Sequence, residues 1–155
     1  MMDLGNFIPL GGRSAELKVI AWNTCGFSGK RIAVEERIGR LNPDVLLLQE
    51  TLMKQRPSIP GFQVIHREAE GTPGRREVGI AVRNGLTVKE IGERQPYFCF
   101  GKVTARGREL IVGSVYIPCG EQTATMEMLG ESSPNSRRRT DKSSLVETGI
   151  WEGRI

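Results

Sequence analysis

A strand–helix–strand opening, a run of short β-rich segments after it, and turn dipeptides between those segments predict an α/β protein built on a mixed sheet. The 155 residues fit one domain. An apolar fraction of 38% and a charged fraction of 26% are ordinary for a globular chain. No apolar run approaches the roughly 20 residues of a membrane-spanning helix, so no membrane partner is expected. The amino-terminal "MMDLGNFIPLGGR" has no basic region ahead of its short apolar run, unlike a secretory signal.

The elements follow in order. Residues 1–16 read as an irregular leader, broken by Gly5, Pro9, Gly11 and Gly12. "LKVIAWN", Leu17 to Asn23, reads as a strand, and "TCGFSGK" as a turn. From Arg31 to Leu41 the apolar residues Val34, Ile38 and Leu41 recur four and then three apart, a helical stripe. Asn42-Pro43 stops the helix, because proline disfavours helical geometry in the residue before it. "DVLLLQE" is then a second strand, and a βαβ unit makes the two strands parallel.

"GFQVIHR", "EVGIAVRN", "GLTVKEI", "PYFCFGKVTA" and "RELIVGSVYIP" read as successive strands of a mostly antiparallel meander. Thr72-Pro73-Gly74 marks a turn, and Asn84-Gly85 and Arg106-Gly107 mark hairpins. After Gly120 the composition turns polar and loses periodicity. The organisation expected is therefore a leader (1–16), a folded region (17–120) and a flexible polar tail (121–155). The tail's Arg137 to Arg139 is a solvated run or a nucleic-acid patch.

The net charge of +4 is uneven. Residues 1–120 hold 17 basic against 12 acidic residues, while 121–155 hold 5 against 6. A modest basic balance suits a polyanionic partner without requiring one. Three cysteines, Cys25, Cys99 and Cys119, with no C-x-x-C, favour free thiols in a reducing compartment. An intracellular location, nuclear or cytoplasmic, is expected.

Two strand ends carry candidate chemistry. Asn23 follows "VIAW" and Glu50 follows "LLLQ". If the strands are parallel neighbours, both residues emerge at one sheet edge, where open α/β sheets bind ligands. A carboxylate there can hold Mg²⁺, which takes one or two carboxylates plus waters and substrate oxygens. The amide beside it can donate to a phosphate. On spacing alone an acidic residue such as Glu50 is more often a solvated strand end or helix cap, and an Asn such as Asn23 more often a turn residue.

The segments "LKVIAWNTCG", "LNPDVLLLQET", "GFQVIHRE", "VGIAVRNGL" and "LIVGSVYIP", in that order, resemble the endonuclease/exonuclease/phosphatase superfamily, the deoxyribonuclease-I-like fold. They are most similar to the apurinic-endonuclease-like domain of non-LTR retrotransposons. The resemblance runs from about Leu17 to Pro118. It implies the amino-terminal half of a four-layer α/β/β/α sandwich, with the helix on the outer face of the mixed sheet. It implies a Mg²⁺-dependent phosphodiesterase (Mn²⁺ as the alternative ion) acting on DNA. Asn23 falls on the family's first-strand Asn, Glu50 on its metal-binding Glu, and Tyr116 on the Tyr of its "Y-x-P" motif, a donor to the phosphate. Asn23 and Glu50 are thus the implied metal-site residues. By its residue type alone, Tyr116 is equally a rim tyrosine bonded to backbone.

The family's "G-D-F-N" and "S-D-H" motifs do not occur in these residues. The aspartates are Asp3, Asp44 and Asp141, and the one histidine, His66, reads as a strand-edge or surface residue, not the missing base. The chain therefore reads as a truncated member with little activity of its own, so that enzyme status is open. The alternative is an inactive remnant that binds nucleic acid or protein through Arg31, Arg37, Arg56, Arg75, Arg76 and Arg83. With half a sandwich, the apolar residues of "IAV" and "LIVGSVYI" are expected to face water and to drive self-association.

Overall fold

The computed structural model describes residues 5–9, 16–67, 77–95, 97–117 and 127. The opening unit forms as the pattern requires: β2 (Glu16–Asn23), α1 (Arg31–Leu41) and β3 (Val45–Gln49). A single 3₁₀ turn, Ser28–Lys30, leads into the helix. Val34 is fully buried, and Ile38 and Leu41 pack beside it, so the four-then-three spacing is the face that meets the sheet. Asn42 ends the helix in the left-handed region (φ 49°), with its N–H donating to the Ile38 carbonyl at 2.8 Å. Pro43 then cannot continue the turn. β2 and β3 are parallel, in register from Val19↔Val45 to Asn23↔Gln49.

The remaining strands are β1 (Gly5–Pro9), β4 (Phe62–Arg67), β5 (Val78–Arg83), β6 (Thr87–Gln95), β7 (Phe98–Ala105) and β8 (Arg108–Val115). They make two sheets. The first is mixed, in the order β1-β2-β3-β5-β4, and the second runs β6-β7-β8. Alternate residues of the first sheet sort onto opposite faces. Ile20, Trp22, Leu46, Leu48 and Ala81 face α1. Val45, Val78, Ile80 and Val82 face Cys99, Val103, Ala105 and Val112 of the second sheet. The layers are thus helix, sheet, sheet. Gly101 lets the sheets approach closely, since a Cβ there would stand 3.2 Å from Val88 Cγ2 and 3.4 Å from Ile80 Cδ1. The inter-sheet position pushes the Cys99 thiol up to about 12 by burial, so it is an inert packing group.

Three sequence expectations need correction. The leader is not irregular throughout: Gly5–Pro9 pairs antiparallel with β2. Pro9 sits at the end of an edge strand, a position where sheets tolerate proline. Asn84-Gly85 is not a hairpin. It is a corner, with Gly85 at φ 100°, that carries the chain from β5 in one sheet to β6 in the other. Arg106-Gly107 is the two-residue hairpin, closing Ala105↔Arg108 with both turn residues at positive φ (50° and 76°).

The inter-sheet residues, finally, do not face water. Ile80 and Val82 are 0% exposed, because β6-β7-β8 folds over the face that they present, and Ala81, also 0% exposed, is covered from the helix side. Ile111, on the far side of β8, is the residue of "LIVGSVYI" that stays exposed, at 44%. The polar tail, the Thr72-Pro73-Gly74 turn, Cys119 and the Arg137–Arg139 run lie outside the described residues, apart from residue 127.

Candidate metal and phosphate site

The parallel register decides where the two strand ends lie. Asn23 is the partner of Gln49, so Asn23 and Glu50 stand at the same carboxyl edge of neighbouring strands. The loops that leave this edge are knitted together. The Thr24 N–H donates to the Gln49 carbonyl (2.9 Å), and the Thr24 hydroxyl lies 3.1 Å from that carbonyl and 3.0 Å from that of Glu50. The Gly26 N–H donates to the Glu50 carbonyl and the Phe27 N–H to the Thr51 carbonyl, each at 2.8 Å. Thr24 and Thr51 are buried, at 1% and 0% exposure, so this lacing is shielded from competing water.

Backbone strain gathers at the same edge. Cys25 (φ 45°), Glu50 (φ 50°) and Leu52 (φ 52°) are non-glycine residues in the left-handed region. Such conformations persist where the surroundings over-determine them, and they cluster at functional sites. The Asn23 Oδ1 accepts from the Cys25 N–H at 3.0 Å and lies 3.2 Å from its Sγ. That leaves the Asn23 amide nitrogen as the group able to donate outward. The Glu50 carboxylate is half-buried and has no hydrogen-bond or ion-pair partner among the described residues. Lys30 adds positive charge nearby, its Nζ donating to the Thr24 carbonyl at 2.9 Å.

The third candidate arrives from the second sheet. The buried Ser114 hydroxyl donates to the Leu48 carbonyl at 2.7 Å, and Gln49 Nε2 donates to the Val115 carbonyl at 2.9 Å. The end of β8 is thereby fastened to the end of β3, and Tyr116 is the next residue. Its N–H donates to the Tyr97 carbonyl at 2.8 Å, and its ring is half-buried against the inter-sheet core. All three candidates therefore leave strand ends that the fold brings to one edge.

His66 lies on the edge strand β4, as its sequence context suggests, but its ring is not a surface group. Its Nε2 is 2.8 Å from the Thr51 hydroxyl, and burial lowers its pKa to about 4. Sequence reasoning missed Ser114, Gln49, Thr51 and His66 as parts of this edge. The signal for Ser114 was present: a hydroxyl at an inward position of the alternating run "LIVGSV" needs a buried acceptor.

The residues at the edge suit a divalent ion only in part. Among the described residues no three His, Cys, Asp or Glu side chains converge. Mg²⁺ does not need such a cage, because waters and phosphate oxygens complete its shell around one or two carboxylates. A single unpartnered carboxylate at a strand end, Glu50, meets that requirement. Asn23 fits better as a donor, since its oxygen is already engaged by Cys25.

The sequence model of the Endonuclease/Exonuclease/phosphatase family matches residues 20–144. The chain belongs to this family. The match covers Asn23, Glu50 and Tyr116, and it continues past Gly120, where the composition changes. Solved structures share the fold. The endonuclease domain of TRAS1, a telomere-specific non-LTR retrotransposon, superposes with a TM-score of 0.53 at 16% identity, over 73% of this chain and 53% of that one. An AP endonuclease from Archaeoglobus fulgidus gives 0.51 at 21% identity, over 73% of this chain and 48% of that one. This chain spans about half the length of the solved structures it matches. A search of the curated proteins finds no match. Among the described residues, no helix is long and apolar enough to cross a membrane.

Proposed function

We propose that these residues form the metal- and phosphate-binding half of a Mg²⁺-dependent DNA endonuclease of retrotransposon origin. The observation that carries this reading is the Asn23↔Gln49 register, which sets an amide donor and an unpartnered carboxylate at one sheet edge inside the family segment. Family nucleases generally depend on a divalent metal. A bound ion polarises a phosphoryl oxygen and stabilises the leaving alkoxide. Glu50 would hold it, with Mn²⁺ as a substitute. The Asn23 amide nitrogen donates to a phosphate oxygen. Tyr116 stands at the end of β8 to offer its hydroxyl to the same phosphate. The likeness to the TRAS1 endonuclease domain supports DNA as the substrate and a retroelement as the source.

Hydrolysis also needs a base for the attacking water and donors for the far side of the phosphate. The motifs that supply these in the family are not among the 155 residues. Each such group contributes a factor of about 10² to 10⁴ in rate. The 155-residue chain is therefore expected to show no nicking of supercoiled plasmid in Mg²⁺. Nicking that Glu50→Ala abolishes would contradict this.

A binding module without catalysis is the competing reading, and its basic surface is weaker in three dimensions than in sequence. Arg83 donates to the Pro43 carbonyl and to Asn42 Oδ1, and pairs with Asp44 at 3.6 Å. Arg37 lies over the Trp22 ring at 5.0 Å. Arg31 pairs with Glu35 at 3.0 Å. These three arginines already have structural partners. Arg56 is exposed, and Arg75 and Arg76 lie outside the described residues.

A further inference from the structure

Thr51 sits between two left-handed residues, Glu50 and Leu52, neither of them glycine. Something must hold that conformation, and Thr51 is the anchor. It is fully buried, and each of its polar groups is engaged. Its N–H donates to the Glu77 carbonyl (3.4 Å), its carbonyl accepts from the Phe27 N–H (2.8 Å), and its hydroxyl meets His66 Nε2 (2.8 Å). Any residue could make the first two bonds. The third needs a hydroxyl at 51 and a polar side chain that reaches it from 66.

The fold makes room for this third bond at a particular place. In the first sheet β5 lies between β3 and β4, so a side chain of β4 reaches the end of β3 only by crossing β5. Gly79 is the residue of β5 in register with both His66 and Leu48. A Cβ at Gly79 would stand 3.5 Å from His66 Cδ2 and 3.2 Å from the Ile65 carbonyl oxygen. The imidazole passes over the one β5 position that has no side chain. Burial keeps the ring neutral near pH 7, so it meets the hydroxyl as a neutral donor or acceptor.

We propose that His66 is a positioning residue for Glu50, acting through the Thr51 hydroxyl to hold the left-handed turn that presents the carboxylate at the sheet edge. The proposal rests on the reading of Glu50 as the metal-binding carboxylate, and two readouts test it. Amide hydrogen exchange at Gly26 and Phe27 reports the bonds to the Glu50 and Thr51 carbonyls without any metal. Mn²⁺ titration reports presentation of the carboxylate.

In His66→Phe, which keeps a ring but loses the bond, both amides should exchange about five- to ten-fold faster, the value of one buried hydrogen bond. Mn²⁺ affinity should fall with them, while β7 amides stay protected. Thr51→Val removes the same bond from the other side and should do the same. His66→Gln, which can still reach the hydroxyl, should restore both readouts. Wild-type exchange and affinity in His66→Phe and Thr51→Val would overturn the proposal, and so would a Gln variant no better than Phe. If the wild type shows no Glu50-dependent Mn²⁺ binding at all, the metal reading falls and takes this proposal with it. Intact wild-type binding that is indifferent to His66 removes the positioning role alone.

Discussion

The body of β3 and the turn at its end do opposite jobs within seven residues, Val45 to Thr51. Val45, Leu46 and Leu48 are at most 1% exposed, packed between α1 and the second sheet. Gln49, Glu50 and Thr51 then carry an amide, a carboxylate and a hydroxyl, and the residues on either side of Thr51, at 50 and 52, lie in the left-handed region. The middle obeys every local rule for a buried strand. The end breaks them, and hydrogen bonds that involve Thr24, Ser114 and His66, buried or partly so, surround the break. Deviation from local preference that is this well supported marks a site, whereas agreement marks a scaffold.

The sharpest way to separate the two regions is to damage each. Leu48→Ala empties a fully buried position and should cost about 2–5 kcal/mol of unfolding free energy in urea titration. A loss below about 1 kcal/mol would mean that the two-face core is loosely packed. Ser114→Ala strips the bond that fastens β8 to the Leu48 carbonyl. It should cost about 1–3 kcal/mol, since it leaves a buried carbonyl short of a partner. An equal cost at both positions would erase the distinction between packing and fastening.

A pH series sharpens the comparison from the polar side. His66 titrates near 4 when folded, below its ordinary 6.5, because burial disfavours the charged ring. The unfolded chain therefore takes up the proton first as pH falls. The contribution is fully present above about 6.5 and is lost between there and about 4. Melting temperature should fall across that window more steeply in the wild type than in His66→Gln. Parallel curves would show that the ring is not buried against Thr51.

Much of this scaffold is legible in the sequence. The helix spans Arg31–Leu41 because its apolar stripe and the Asn42-Pro43 stop both declare it. The parallel pair follows from the connection that a helix makes. The division into two sheets is not legible, because a dipeptide such as Asn84-Gly85 fixes only a local reversal. Whether that reversal pairs the flanking strands or hands the chain to another layer depends on the distant faces available. Here the inward face of β5, Val78, Ile80 and Val82, was waiting for a cover, and β7 and β8 supplied it.

The candidate site divides the same way. Asn23, Glu50 and Tyr116 are visible as polar residues that end apolar runs, and the family resemblance assigns them roles. Their supports, Ser114 and His66, are visible only as polar residues inside strands. Their partners lie 66 and 15 residues away along the chain. No local pattern carries a pairing of that kind. The expected self-association loses its main motive, since the inter-sheet face is covered by the chain itself.

The most direct test of the account is residue-resolved Mn²⁺ titration by nuclear magnetic resonance, on the wild type and on Glu50→Gln. The variant removes charge from a half-buried carboxylate that has no ion-pair partner among the described residues, so its stability should stay within about 0.5 kcal/mol of the wild type. In the wild type, paramagnetic broadening should appear first at the amides of residues 23–26, 50–52 and 116, and in Glu50→Gln it should disappear there. Broadening centred elsewhere, or undiminished by the loss of the Glu50 charge, would contradict a cation site at the joined ends of β2 and β3.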